Sequence, residues 1–157
     1  IGDLARLPSS ARNLLETLCA QTAHNSKMTL CLALSYGGRE EILAAVRHIS
    51  RQVAEQKLDW RDINEDTLNQ ALQTSEILTD PDLLIRTSGE LRLSNFLLWQ
   101  SAYAELYFTD TLWPDFGSTQ LDEAIENYRL RDRRYGGLSA HEKHTEPPVD
   151  VRGSKGA

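Results

Sequence analysis

The stretch Leu83-Leu84-Ile85-Arg86-Thr87-Ser88-Gly89-Glu90-Leu91-Arg92-Leu93-Ser94-Asn95 sets three apolar residues directly before a run of cations, hydroxyls and a glycine. Asp80-Pro81-Asp82 punctuates the chain just upstream, so Leu83 to Ile85 reads as a short strand that ends in a polar loop. In open α/β sheets, ligands sit at the carboxyl ends of strands. This loop suits an anion of the phosphate type. Guanidinium groups give planar, charge-assisted and often bidentate bonds, hydroxyls add short donors, and a glycine allows close backbone approach. Arg86 and Arg92, with Thr87, Ser88, Gly89, Glu90 and Ser94 around them, have the composition of a diphosphate cradle. A solvated loop has the same composition, with its arginines paired to Glu90 and Asp82 and with Ser94 only capping the next element.

Working outward, Ser94-Asn95 predicts the N-cap of a helix through Phe96, Leu97, Leu98 and Trp99, whose amino end would face the same anion. Ala104 to Phe108 reads as a second strand, and Trp113-Pro114-Asp115 as a breaker. A helix follows Ser118-Thr119, with Leu121, Ile125 and Tyr128 on one face and Thr119 and Asp122 in capping-box spacing. Upstream, Met28 to Leu34 is a nearly continuous apolar run, the pattern of a strand covered on both faces. Ala11, Leu14, Leu15, Leu18 and Cys19 share one face of a helix that follows Pro8. Ile42, Val46, Ile49 and Val53 share a face of another, from Arg39 to Glu55, and Asn64 starts a third that turns Leu68 and Leu72 inward. Strands alternating with helices predict an α/β fold: a mostly parallel sheet flanked by helices, here without its N-terminal strands. Ile1-Gly2-Asp3 reads as the end of a strand already running, so a piece of a longer chain is expected.

The 157 residues, 40% of them hydrophobic, fit one globular domain rather than a disulfide miniprotein. Acidic residues outnumber basic ones by 23 to 17, which argues against nucleic acid as a partner. The apolar run Phe96 to Trp99 is far below the ~20 residues of a bilayer crossing, so any membrane contact is expected to be peripheral. Cys19 and Cys31 lack C-x-x-C spacing and read as small buried hydrophobes in a reducing cytoplasm. Trp60 and Trp113 read as packing residues, and His24 and His48 as solvated. His141-Glu142-Lys143-His144 lacks the spacing that aims two imidazoles at one zinc, and residues 139–157 have the composition of a disordered tail. Glu105 interrupts an apolar run and therefore needs an arginine, a metal or a solvent-facing side. Beside bound phosphates a Mg²⁺ site is reasonable, because that ion takes one or two carboxylates plus phosphate oxygens.

Leu83 through Glu90, followed by Arg92-Leu93-Ser94-Asn95-Phe96-Leu97-Leu98-Trp99-Gln100, resembles a signature of the cis-prenyltransferases, nearest to the undecaprenyl diphosphate synthase type. The similarity runs on through Ala104-Glu105-Leu106-Tyr107-Phe108 and Trp113-Pro114-Asp115-Phe116 to Arg133-Arg134-Tyr135-Gly136-Gly137, and takes in Tyr36-Gly37-Gly38-Arg39 upstream. It covers residues 1–138, which form the expected prenyltransferase-like domain. The resemblance implies a transferase that condenses isopentenyl diphosphate onto an allylic diphosphate with Z double bonds, releasing diphosphate. Arg86, Arg92 and Ser94 would hold the diphosphate of the isopentenyl unit, and Glu105 would take part in binding Mg²⁺. Arg134 and Gly136 fall on an Arg-x-Gly pattern that can reach this site across a homodimer interface. The glycines of Tyr36-Gly37-Gly38-Arg39 are expected to make a strand-to-helix turn. The family's Asp-Gly-Asn-Gly-Arg-Trp segment, which carries its catalytic aspartate, does not occur in these residues, nor does its Phe-Ser-x-Glu-Asn-Trp segment. The domain is therefore expected to be incomplete at its N-terminus and inactive alone. The competing reading is a non-catalytic accessory subunit of a heteromeric cis-prenyltransferase. Such subunits generally lose the Arg-Thr-Ser-Gly-Glu cluster that this chain keeps. A cytoplasmic enzyme, at the membrane surface, is implied.

Overall fold

The computed structural model describes residues 1–75 and 79–131. Arg134, Gly136 and the expected tail at 139–157 lie outside the described residues. Two strands, β1 (Leu83–Arg86) and β2 (Glu105–Phe108), pair in parallel with Leu83 opposite Glu105 and Arg86 opposite Phe108. Four helices accompany them: α1 (Ser9–Thr22), α2 (Gly38–Ala54), α3 (Glu65–Ala71) and α4 (Ser118–Arg129). α4 packs against β2, and α2 against α3. Leu84, Leu97, Leu72, Ala45, Ile49 and Ala124 are the buried apolar residues among those described. The helices and parallel strand pairing of an α/β fold are present, in the order of three α-helices, two strands and a fourth α-helix among the described residues, and α3 starts where Asn64 predicts. The Asn64 side chain accepts from the Thr67 N–H at 3.0 Å, and the Thr67 hydroxyl accepts from the Asn64 N–H at 3.3 Å.

Several expectations need correction. Met28 to Leu34 is not a covered strand: Met28 is 81% exposed, and Leu30 and Leu32 are exposed as well. Its C-terminal end is hydrogen-bonded to Ile1 to Asp3. The Ile1 amine donates to Leu32 O and Leu34 N–H donates to Ile1 O, both at 2.9 Å, the pattern of a single parallel bridge. The apolar face of α1 is likewise uncovered, with Leu14 70% exposed, Leu18 exposed and no residue buried. α2 turns inward along Glu41, Ala45 and Ile49 rather than along Ile42 and Val46, because the buried line includes a carboxylate with partners of its own. Phe96 to Trp99 is a run of turns, not a helix. Ser94, Asn95 and Leu97 take φ of 50°, 65° and 44°, a left-handed path that cannot propagate an α-helix. α4 is capped at its start by Gln120 reaching back to the Gly117 N–H at 2.9 Å, two residues before the predicted Thr119–Asp122 box. Cys19 is exposed and Cys31 half-buried. Trp60 is exposed under the Arg61 guanidinium, and Trp113 is exposed and stacked on Phe116.

Candidate functional site

β1 ends at Arg86, and its side chain opens onto a cavity of about 470 Å³ lined by Leu84, Ile85, Arg86, Thr87, Ser88, Leu93, Phe96 and Trp113. Its lining joins a cation and two hydroxyls to aliphatic and aromatic side chains. No described carboxylate forms an ion pair with Arg86, so its guanidinium is available to a ligand anion. Two backbone amides of the loop are engaged within the protein. Ser88 N–H donates to Thr111 O and Gly89 N–H to Thr109 O, both at 2.9 Å. These bonds fasten the loop to the segment after β2. Gly89 sits at φ 67°, and a Cβ there would lie 3.0 Å from Asp110 Oδ1. The glycine thus serves loop packing.

Arg92 and Ser94 flank Leu93 in sequence but do not line the cavity. Arg92 forms an ion pair with Glu90, one of the two carboxylates named for such pairing. Ser94 is exposed and caps no helix. Both sit on the loop that delivers Leu93 and Phe96 to the cavity wall. The structure therefore brings Arg86 together with Thr87 and Ser88, and leaves Arg92 and Ser94 exposed on the same loop outside the cavity lining.

Glu105 does not join them. The parallel register sets it beside Leu83, three residues back from the Arg86–Phe108 pair, about 10 Å along the ribbon at the usual strand rise. Its Oε2 accepts from Arg131 Nη1 at 2.8 Å, and the same nitrogen donates to Leu106 O at 2.9 Å. Of the three ways to keep a carboxylate in an apolar run, the structure uses the arginine. A guanidinium stays charged and coordinates no metal, and the described residues contain no group of three or more His, Cys, Asp or Glu able to hold an ion. An ion at Glu105 would have to displace this guanidinium and draw its remaining ligands from phosphate oxygens.

Glu41 escaped the sequence reading. It is only 3% exposed, and its carboxylate gathers three donors: Tyr36 Oη at 2.6 Å, the Gln73 N–H at 3.0 Å and Gln100 Nε2 at 3.0 Å. Gln100 Nε2 also donates to Thr74 Oγ1 at 2.9 Å. Burial, reinforced by the hydrogen bond to Glu41 and by its charge, pushes the Tyr36 phenol well above its ordinary value. The network ties α2 to the segment after α3 and to the turns that follow the arginine loop. Its signal was present but ambiguous: Glu40 and Glu41 both read as first-turn acids of α2.

The parallel ribbon and its arginine loop point to the prenyltransferase class, and comparison with known proteins agrees. Residues 1–136 match the undecaprenyl diphosphate synthase family of prenyltransferases, and the chain belongs to that family. The isoprenyl transferase of Heliobacterium mobile is 53% identical over 138 residues, which cover 88% of this chain and 53% of that protein. Lavandulyl diphosphate synthase from Lavandula x intermedia, solved in complex with dimethylallyl diphosphate, superposes with a TM-score of 0.83 at 44% identity, covering 87% of this chain and 58% of the other. A probable undecaprenyl diphosphate synthase from Campylobacter jejuni superposes with a TM-score of 0.72 at 39% identity, covering 87% and 61%. The chain spans about half the length of the curated relatives it matches. Among the described residues, no helix is long and apolar enough to cross a membrane.

Proposed function

We propose that this chain supplies the isopentenyl diphosphate site of a cis-type, chain-elongating prenyltransferase that makes an undecaprenyl-type diphosphate. In that reaction the allylic C–O bond breaks and diphosphate leaves with the electron pair. The isopentenyl double bond attacks the allylic carbon, and the adduct loses a proton to give a product five carbons longer. The observation that carries the proposal is the cavity at the end of β1, whose lining combines polar and apolar side chains. Arg86 with the Thr87 and Ser88 hydroxyls suits a diphosphate, and Leu93, Phe96 and Trp113 suit a short hydrocarbon. The lavender relative was solved with a five-carbon diphosphate bound, which supports a ligand of this size.

Positioning and charge neutralisation are what this half of the site contributes. Arg86 holds the diphosphate, the hydroxyls donate to it, and the apolar wall aligns the double bond away from water. Arg92 and Ser94 close over the diphosphate from the same loop. The exposed Arg92–Glu90 pair costs little to exchange for a phosphate, since surface pairs contribute only about 0 to 1 kcal/mol. Arg134 and Gly136 are proposed to approach from the second copy of a homodimer. The enzyme would act in the cytoplasm, at the membrane surface where its lipid product resides. The accessory-subunit reading is not favoured, because the Arg-Thr-Ser-Gly-Glu cluster is intact.

The test is Arg86→Ala in the enzyme that carries this chain. Loss of a charge-assisted contact of about 1.5 to 3 kcal/mol raises the KM for isopentenyl diphosphate ~10- to 100-fold, with the KM for the allylic substrate unchanged. Unaltered saturation by isopentenyl diphosphate would refute the assignment.

A further inference from the structure

The arginine loop follows a costly backbone path. Three non-glycine residues within four positions, Ser94, Asn95 and Leu97, have positive φ, a conformation that persists only where surrounding structure fixes it. Asn95 makes that fixation. Its carbonyl accepts from Gly38 N–H at 2.7 Å, its Oδ1 accepts from Arg39 N–H at 2.9 Å, and its Nδ2 donates to Glu40 Oε2 at 3.0 Å. A single residue thereby binds three successive residues of α2's first turn. The two glycines before Arg39 make room for it. A Cβ on Gly37 would lie 2.7 Å from Asn95 Nδ2 and 2.3 Å from Glu40 Oε2, and one on Gly38 would lie 3.0 Å from Leu98 Cγ. The Asn95 bond is also the largest cause holding the Glu40 carboxyl below its ordinary value, ahead of Glu40's own N–H and the nearby Arg39 and Arg6.

From this geometry we infer that Asn95 is a positioning residue for the isopentenyl diphosphate site: it locks the loop carrying Arg92, Leu93 and Ser94 onto the amino end of α2. The inference deepens the proposed function and rests on it. Asn95 itself does not line the cavity; it sets the backbone on either side of the residues that do. Asparagine is suited twice over, because it tolerates the left-handed region and offers an acceptor and a donor on one short side chain.

Steady-state kinetics of the complete enzyme test it. Asn95→Ala removes two hydrogen bonds and is expected to raise the KM for isopentenyl diphosphate roughly tenfold, leaving the allylic KM within about twofold. Asn95→Asp sets a carboxylate against Glu40 and is expected to do the same or worse. Adding Glu40→Gln restores a donor–acceptor pair of reversed polarity, so the double variant is expected to recover most of the lost affinity. A role in stability alone would lower the amount of active enzyme without splitting the two KM values. The inference is overturned if Asn95→Ala leaves the isopentenyl KM unchanged while Arg86→Ala raises it, or if Glu40→Gln fails to rescue Asn95→Asp. Should Asn95→Ala not fold, the rescue pair decides. If Arg86→Ala is also silent, the proposed site itself falls and this inference with it.

Discussion

Glu41 shows what a buried carboxylate requires. Removing it as Glu41→Ala leaves the Tyr36 hydroxyl, the Gln73 N–H and the Gln100 amide competing for fewer acceptors in a dry environment. Each buried group left without a partner costs about 1 to 3 kcal/mol, so denaturant unfolding is expected to report a loss of about 2 to 5 kcal/mol. A loss under about 1 kcal/mol would show that the network carries no such weight. Tyr36 adds a pH dependence of definite sign. Its folded pKa lies above the ordinary value of 10.0, so the folded state resists ionisation that the unfolded chain undergoes. The stability this provides is complete below pH 10.0 and is lost as pH rises from there toward the folded pKa. In Tyr36→Phe, stability measured across that alkaline range is expected to fall less steeply than in the unaltered protein. An identical slope would contradict the assignment.

At the scale of elements, what could be read in the sequence depended on how local the deciding forces were. α2, α3, α4 and both strands follow from apolar spacing, first-turn acids and an asparagine cap, all properties of neighbouring residues. The Phe96 to Trp99 turns were not legible, because what bends them is Asn95 and Leu98 meeting the glycines of α2, more than fifty residues away. The Gly37-Gly38 pair, expected to make a strand-to-helix turn, opens α2 with Gly37 at an extended φ of −154°, and both glycines serve close approach. Hence Gly38→Ala, which in an open helix would gain up to ~1 kcal/mol of propensity, is expected to lower the melting temperature instead. A rise would mean that Leu98 yields freely. Of the site, Arg86 with Thr87 and Ser88 was readable as a strand end, while the Arg131 partner of Glu105 was not, since nothing in the sequence pairs α4's end with β2. A double-mutant cycle of Glu105→Gln and Arg131→Gln is expected to give a coupling of about 0.5 to 1 kcal/mol, modest because both side chains are partly exposed. Additive losses would show that the ion pair contributes nothing.

Across the whole molecule, the described residues leave two apolar surfaces uncovered: the Leu14–Leu18 side of α1 and the Met28 to Leu32 run. They are matched by a chain that spans about half of its relatives' length. The proposed site offers an arginine loop for the isopentenyl diphosphate, and the Asp-Gly-Asn-Gly-Arg-Trp segment expected from the family resemblance does not occur in these residues. These 157 residues on their own are therefore expected to form no polyprenyl product from isopentenyl and allylic diphosphates, assayed with radiolabel. Labelled polyprenol would show that the absent segment is dispensable. The most direct measurement of the central claim is a crystal structure of the complete enzyme with isopentenyl diphosphate. Diphosphate oxygens are expected within hydrogen-bond reach of the Arg86 guanidinium, with the five-carbon tail against Leu93, Phe96 and Trp113. A ligand bound elsewhere, with Arg86 facing an empty cavity, would contradict the claim.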